Sequence, residues 1–162
     1  MPVPANVEAI WSAYARSVGG VDERRFYEAF QFGDSAALAD ELGQLALSGK
    51  KRATTGSVWS FEASGQRLLR PGDLSIVTDG AGTPLCIIET TQVDVMPFDE
   101  VSAEFAAVEG EGDGSLAFWR QAHAAYFTRE CERAGRMFSG GMPVSCERFR
   151  VVYPTPSSPL ST

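Results

Sequence analysis

The sequence predicts an α+β protein, built as a small mixed or largely antiparallel β-barrel flanked by α-helices. Segments with apolar residues at helical spacing alternate with short extended segments, which indicates helices interrupting one sheet. The run Asp79-Gly80-Ala81-Gly82 lies between two extended segments and is typical of a hairpin connection. Strands of this number need their edges covered, and closure into a barrel provides that cover.

Four segments carry the helical pattern. Ser35 and Ser115 each stand directly before such a segment, where a serine hydroxyl can cap the first turn. Gly19-Gly20 and Gly49 follow the first two segments and favour helix ends there. The predicted helices cover residues 7–18, 36–49, about 98–108, and a longer stretch that begins after Ser115.

Extended segments with few turn residues predict the strands at 57–61, 74–78, about 84–95 and about 144–153. Residues 21–34 are rich in aromatic side chains, and their pattern predicts no particular element. Residues 1–153 are expected to form a single domain with an N-terminal helix. The stretch 154–162 is rich in proline, serine and threonine and is expected to be disordered.

The composition excludes several classes of protein. The 162 residues are 44% hydrophobic, which is typical of a folded chain, and the apolar runs are too short for a membrane span. The formal net charge of −7 argues against a protein that coats nucleic acid through general electrostatics. Three cysteines and the absence of a secretory signal pattern at the N-terminus predict a cytoplasmic protein.

The only two lysines are adjacent, at Lys50 and Lys51, and Arg52 follows them. Cations at a helix C-terminus interact favourably with the helix dipole, so a solvated helix end explains the run without any function. Neighbouring side chains point in different directions, so both lysines can hardly enter one cleft. We expect Lys51 to be the functional residue and Lys50 to be a bystander.

Glu89 is a carboxylate within a strongly apolar strand. Alternation places it on the same face as Leu85 and Ile87, while Cys86 and Ile88 on the other face are also apolar. A carboxylate in such surroundings is costly unless it is paired or protonated, which makes it a candidate for general acid–base chemistry. A structural ion pair with an arginine is the alternative interpretation.

His123 is the only histidine, and it shares a predicted helix face with aromatic residues. We interpret it as a core or pocket-edge residue. A single histidine makes catalytic triads and histidine-rich metal sites hard to build, and no resident metal or cofactor is predicted.

Several motifs together resemble the ASCH family, a branch of the PUA-like barrels, and in particular its longer bacterial members. The central one is Gly-x-Lys-x-x-Thr, which here spans residues 49–54. The resemblance covers about residues 26–153. The other motifs are Phe32-Gly33-Asp34, Pro71-Gly72-Asp73-Leu74, Cys86-Ile87-Ile88-Glu89-Thr90-Thr91, Pro97-Phe98-Asp99-Glu100-Val101, Glu109-Gly110-Glu111-Gly112-Asp113, Phe127-Thr128-Arg129-Glu130-Cys131 and Cys146-Glu147-Arg148-Phe149.

This resemblance implies a small barrel with a cleft for RNA or a nucleoside. Some smaller ASCH proteins deacetylate N4-acetylcytidine with a lysine, a threonine and a glutamate, which match Lys51, Thr54 and Glu89 here. Some longer members are reported to cleave single-stranded RNA. The candidate substrate contacts are Arg52, Phe32, Trp59, Thr128 and Arg129.

Three hypotheses follow for the function. In the first, the protein cleaves single-stranded RNA, with Lys51 stabilising charge on a phosphate, and a divalent ion could assist. In the second, it is an amidohydrolase on a modified nucleoside, with Thr54 as the nucleophile and Glu89 as the proton shuttle. In the third, it binds RNA or a nucleotide without chemistry. The sequence does not predict an oligomeric state.

Overall fold

The structure is a computed structural model that describes residues 3–154. Within it, five helices and five strands confirm the α+β class. The predicted disordered stretch lies outside the described residues from position 155 onward. The helices are α1 (Glu8–Ser17), α2 (Ala36–Leu47), α3 (Val58–Ser64), α4 (Ala103–Glu109) and α5 (Leu116–Arg133), and the strands are β1 (Phe26–Phe30), β2 (Ala53–Ser57), β3 (Leu74–Thr78), β4 (Pro84–Pro97) and β5 (Pro143–Tyr153).

The five strands form one mixed sheet in the order β1-β3-β4-β5-β2. β1 runs parallel to β3, and the other neighbouring pairs are antiparallel. Within residues 3–154 the sheet is open, which corrects the expected closed barrel. Both edge strands have only five residues, and short edge strands limit unwanted pairing without closure.

Serine caps set the helix starts that the sequence predicted. The Ser35 hydroxyl accepts from the Leu38 amide at 3.1 Å, and the Ser115 hydroxyl accepts from the Phe118 amide at 3.1 Å. A serine cap also explains why the predicted strand at 57–61 is wrong. Ser57 ends β2, and its hydroxyl caps α3 by accepting from the Ser60 amide.

Two other segments differ from their prediction. The helix expected over 98–108 is divided into a 3₁₀ turn at Phe98–Glu100 and α4, because Ser102 caps a new helix start. The unassigned aromatic stretch 21–34 contains β1, which is the parallel edge of the sheet.

Three apolar clusters pack the helices on the sheet. One joins α4 and α5 to β2 and β5 around Phe98, Trp119 and Phe127. The second packs α1 on β3 and β4 around Trp11 and Ile87. The third places α2 against β3, β4 and β5. Residues of α2, α3 and α5 and of the sheet face that they border line a cavity.

No helix in the described part of the chain combines the length and apolar character needed to cross a membrane.

Candidate functional site

A cavity of about 600 Å³ lies on the inner face of the sheet. This volume is typical of a site for a small molecule or cofactor. Its walls are partly aromatic, with Phe30, Phe32, Phe61, Phe118 and Tyr126 among the lining residues. Its remaining lining is strongly polar and contains two groups of charged side chains.

Lys51 and Thr54 of the Gly-x-Lys-x-x-Thr motif both line this cavity. Lys51 is only 1% exposed, whereas Lys50 is exposed. The expected contrast between the two lysines is therefore present in the structure. The chain turns inward after α2, and the Arg52 amide bonds to the Val108 carbonyl at 3.0 Å, which holds this segment against α4.

The first charged group consists of Lys51, Glu109, Glu111 and His123, and we call it the charged cluster. The Lys51 ammonium contacts Glu111 Oε2 at 2.7 Å and Glu109 Oε1 at 3.3 Å. It also donates to the Ala53 carbonyl at 2.8 Å. Since an ammonium has three protons, these three acceptors use all of its donors. All three protons of the Lys51 ammonium therefore already have acceptors within the chain.

Glu109 is fully buried and fully bonded. Its Oε1 accepts from Lys51 and from His123 Nε2 at 2.9 Å. Its Oε2 accepts from Trp119 Nε1 at 2.6 Å and from the Thr55 hydroxyl at 3.0 Å. Four donors satisfy the four lone-pair positions of a carboxylate, which explains how a charge is tolerated here.

His123 faces acceptors on both sides of its ring. Nδ1 lies 2.9 Å from the Trp119 carbonyl, which can only accept, and Nε2 lies 2.9 Å from the Glu109 carboxylate. Both nitrogens therefore donate, and the ring is an imidazolium. The ring also stacks on Trp119 with centroids 4.3 Å apart, which agrees with its predicted place among aromatic residues on one helix face.

Burial and charge compete within the charged cluster. Burial by itself would raise the pKa of Glu109, but the charges of Lys51 and His123 outweigh it and hold that pKa below its ordinary value. Burial, together with the Glu109 carboxylate, raises the pKa of Glu111. Burial would lower the pKa of His123, but Glu109 outweighs it and raises that pKa.

Gly110 brings the two carboxylates to the lysine. It ends α4 with φ +71°, a left-handed conformation that favours glycine. A Cβ at this position would lie 2.3 Å from the Lys50 carbonyl oxygen. A glycine is therefore required at the point where the α4 end meets the Lys50–Lys51 backbone, with Glu109 and Glu111 on either side of it.

Glu109, Glu111 and His123 each offer a ligand atom within 4.8 Å of the others, the spacing of a metal site. The Lys51 ammonium already lies between the two carboxylates, and His123 already donates to Glu109. A divalent ion would have to displace both interactions, because Lys51 and His123 already supply the positive charge beside these carboxylates.

The second group consists of Glu28, Ser75, Ser145 and Glu147, and we call it the polar floor. All four line the cavity from the sheet. In the sheet register Glu28 pairs with Ser75 across β1 and β3. Glu147 of β5 pairs directly with Thr54 of β2, so the two side chains lie on one sheet face as cross-strand neighbours.

Glu147 is 4% exposed and accepts a 2.6 Å hydrogen bond from the Thr90 hydroxyl. Burial raises its pKa to about 7, against the opposing effects of the Thr90 hydrogen bond and the Lys51 charge. A carboxylate that gains and loses its proton near neutral pH and lies beside a hydroxyl is suited to act as a general base.

The pKa of Glu147 predicts a pH dependence of stability. Between its ordinary value of 4.5 and about 7, the folded state binds this proton more tightly than the unfolded state. The free energy of unfolding should therefore fall as pH rises through this window, by on the order of 3 kcal/mol from this group. Glu147→Gln removes the titration, so its stability relative to wild type should increase from pH 5 to pH 8 in urea unfolding. Parallel pH curves for the two proteins would contradict the assignment.

Glu89 is not among the residues that line the cavity, which corrects the expectation that it shares a cleft with Lys51 and Thr54. Its carboxylate contacts Arg25 at 3.1 Å and Arg150 at 2.8 Å. The predicted strand phase is right, because Ile87 packs with the α1 cluster. The cavity is on the opposite face, where the neighbouring Thr90 contacts Glu147.

The five predicted substrate contacts divide between the cavity and the surface. Phe32 and Arg129 line the cavity, with the Phe32 ring centroid 4.9 Å from the Lys51 ammonium. Arg52, Trp59 and Thr128 are not among the lining residues. Trp59 stacks with Arg136 at 3.8 Å and packs on the α4–α5 core, and Arg52 and Thr128 are exposed.

Sequence reasoning missed two carboxylates that line the cavity, Glu109 and Glu147. Glu109 begins a glycine-rich acidic motif, yet it ends α4 and is buried. The sequence feature that could have revealed the burial of Glu109 is its helical spacing from Phe105, which places both residues on one helix face. Glu147 lies in β5 between the buried residues Cys146 and Phe149. A carboxylate within a largely buried strand is the same feature that drew attention to Glu89.

The fold and this site define a class: an α+β domain with an open mixed sheet and a charged and aromatic cavity. The chain belongs to the ASCH domain family, whose model matches residues 28–153. ASCH domains are generally RNA-binding. No curated protein matches the chain.

Solved structures agree with this family membership. An ASCH domain from Lactobacillus crispatus JV V101 is 34% identical with a TM-score of 0.84, covering 94% of this chain and 98% of that one. Protein EF3133 from Enterococcus faecalis V583 is 34% identical with a TM-score of 0.83, covering 91% and 88%. The hypothetical protein PH0355, at 16% identity and a TM-score of 0.50 over 78% and 98% of the chains, is similar in fold only.

Proposed function

We propose that this chain is a nucleoside-binding amidohydrolase that removes an acyl group from a modified nucleoside. The observation that carries the proposal is the pairing of Thr54 with Glu147 across two strands that line the cavity. This arrangement supplies a hydroxyl nucleophile and a neighbouring base on one sheet face. The aromatic walls can stack on a base, and 600 Å³ is enough for a nucleoside.

The charges of the cavity favour a neutral ligand. Acidic lining residues outnumber basic ones, and Lys51 and His123 are already paired with Glu109 and Glu111. An anionic phosphodiester would meet carboxylates without a free cation deep in the cavity, whereas an uncharged amide would not be repelled. The acidic lining residues are Glu28, Glu41, Glu109, Glu111, Glu130 and Glu147, and the basic ones are Lys51, His123 and Arg129.

The proposed reaction has two steps. Glu147 takes the proton of the Thr54 hydroxyl as its oxygen attacks the acyl carbon, and the proton passes to the leaving nitrogen as the C–N bond breaks. Water then attacks the Thr54 ester as Glu147 takes its proton, and that proton passes to the Thr54 oxygen as the ester C–O bond breaks and the acid is released. Lys51 supplies the positive charge that stabilises the oxyanion, and the same charge opposes the burial that raises the pKa of Glu147 to about 7.

Cleavage of single-stranded RNA is a second candidate, and one observation favours it. Arg129 lines the cavity with a side chain that is 47% exposed, so its guanidinium can meet a phosphate while one base enters. Arg129 is paired with Asp34 at 2.7 Å, which an RNA phosphate would have to replace.

The test compares N4-acetylcytidine with labelled single-stranded RNA, each with and without EDTA, using wild type and Thr54→Val. We expect deacetylation by wild type, no dependence on EDTA, and loss of turnover in Thr54→Val with nucleoside binding retained. Product from RNA alone would replace the proposal with the second candidate. Binding of a nucleoside or RNA without turnover would show a non-catalytic binding module.

A further inference from the structure

Two buried hydroxyls of the polar floor have no hydrogen-bond partner within the described residues. Ser75 is 1% exposed and Ser145 is 2% exposed, and the Oγ atom of each is buried and has no hydrogen-bond partner. Both side chains line the cavity. Buried polar groups are nearly always hydrogen-bonded, so two unpaired hydroxyls in one cavity point to a partner that the chain itself does not supply.

The carboxylates of the polar floor have spare acceptor capacity. Glu28 accepts from Gln66 Nε2 at 3.0 Å through Oε1, and Glu147 accepts from Thr90 through Oε2. Each carboxylate retains a second oxygen that can accept from a ligand. Burial raises the pKa of Glu28, as expected for a carboxylate that lacks a cationic partner.

The cations of the cavity are committed elsewhere. Lys51 and His123 bond to the carboxylates of the charged cluster, and Arg129 bonds to Asp34. The charge of Lys51 acts on Glu147, but its ammonium is already paired, so the polar floor presents acceptors and hydroxyls without a cation that is free to bond to them. It is suited to a ligand group that donates hydrogen bonds and carries no negative charge.

A flat ring can lie over this floor. Phe61 packs against the backbone of Gly56, where an added Cβ would be 2.9 Å from the ring. Gly56 pairs with Ser145 in the sheet, so the Phe61 ring stands beside one of the unpaired hydroxyls. An aromatic face next to hydrogen-bonding groups is a general arrangement for a nucleobase.

We propose that the polar floor is a subsite for a ligand group with two adjacent hydrogen-bond donors, read by Glu28, Ser75 and Ser145. This inference rests on the proposed nucleoside-binding function. Two parts of a nucleoside have this chemistry. One is an amino group beside a ring N–H on a base, and the other is the cis-diol of ribose.

Matched ligand pairs test the inference by calorimetry on the wild-type protein. Guanosine and inosine differ by one amino group, and guanosine and 2′,3′-dideoxyguanosine differ by the diol. We expect a loss of at least tenfold in affinity for inosine if the base occupies the floor, or for the dideoxynucleoside if the ribose does. Equal affinity within both pairs would overturn the subsite. Binding of N4-acetylcytidine without binding of any of these purine nucleosides would also overturn the subsite, whereas failure to bind N4-acetylcytidine as well would overturn the proposed function itself.

Variants separate this role from a structural one. Ser75→Ala and Ser145→Ala remove unpaired buried hydroxyls, so each should keep or raise Tm while weakening the preferred nucleoside at least fivefold. Glu28→Gln should reduce the discrimination within the preferred pair. Ser102→Ala is the matched control, because it removes a bonded cap far along the chain on α4 and should lower Tm without changing affinity. Serine variants that bind every nucleoside as wild type does would overturn the subsite, whatever their Tm.

Discussion

Replacing Lys51 by methionine is expected to lower the free energy of unfolding by about 3–5 kcal/mol. The substitution keeps the length and apolar stem of the side chain but removes the ammonium that contacts Glu109 and Glu111. Glu109 is 1% exposed, so its charge would remain buried with one fewer partner. Urea unfolding at pH 7 measures the loss.

Lys50→Met is the matched control for this result. Lys50 is adjacent in sequence but exposed, so the free energy of unfolding and nucleoside affinity should both stay near wild type. Adding Glu109→Gln to Lys51→Met should recover part of the lost stability, because it removes one uncompensated buried charge. Equal, small losses for Lys50→Met and Lys51→Met would show that the segment is a general basic surface.

Replacing Glu147 by glutamine is expected to reduce turnover of the acylated nucleoside by about 10²–10⁴-fold. The shape of the side chain is kept, but the amide cannot take the proton of Thr54. Nucleoside affinity should change by less than tenfold, or about 1.4 kcal/mol. Steady-state kinetics and a binding titration on one preparation provide both values.

Glu89→Gln is the control that distinguishes the two carboxylate assignments. Glu89 bonds to Arg25 and Arg150 outside the cavity, so this variant should lose some stability and retain turnover. Loss of turnover in Glu89→Gln with full activity in Glu147→Gln would restore the assignment made from the sequence motif.

Wild-type kcat/KM should rise with pH through about 7, because Glu147 must be deprotonated to act as the base.

The elements that the sequence predicted well are those with local physical signals. Ser35 and Ser115 cap helices through hydrogen bonds within three residues, so the caps are visible in the sequence itself. The β3–β4 hairpin follows from Asp79 and its glycines in the same way. The strand predicted at 57–61 is wrong because the Ser57 hydroxyl caps a helix there, whereas the prediction rested on an extended pattern of side chains.

The candidate site shows the same difference between local and long-range signals. Lys51 and Thr54 belong to a short motif, and their entry into one cavity agrees with its spacing. Their carboxylate partners come from positions 58 and 93 residues further along the chain, at Glu109 and Glu147. No local pattern specifies which distant carboxylate pairs with a given residue.

By itself, the sequence determined the α+β class, the family, most helix and strand positions, and the inward orientation of the Lys51 side chain. Tertiary structure alone decided that the sheet stays open, that the cavity lies on the face opposite Glu89, and that Glu147 stands beside Thr54. Alternation along a strand fixes which residues share a face, but it does not say which face a helix will cover and which will border a cavity. That choice follows from where α1 and α2 pack, and it is made by contacts between residues far apart in the chain.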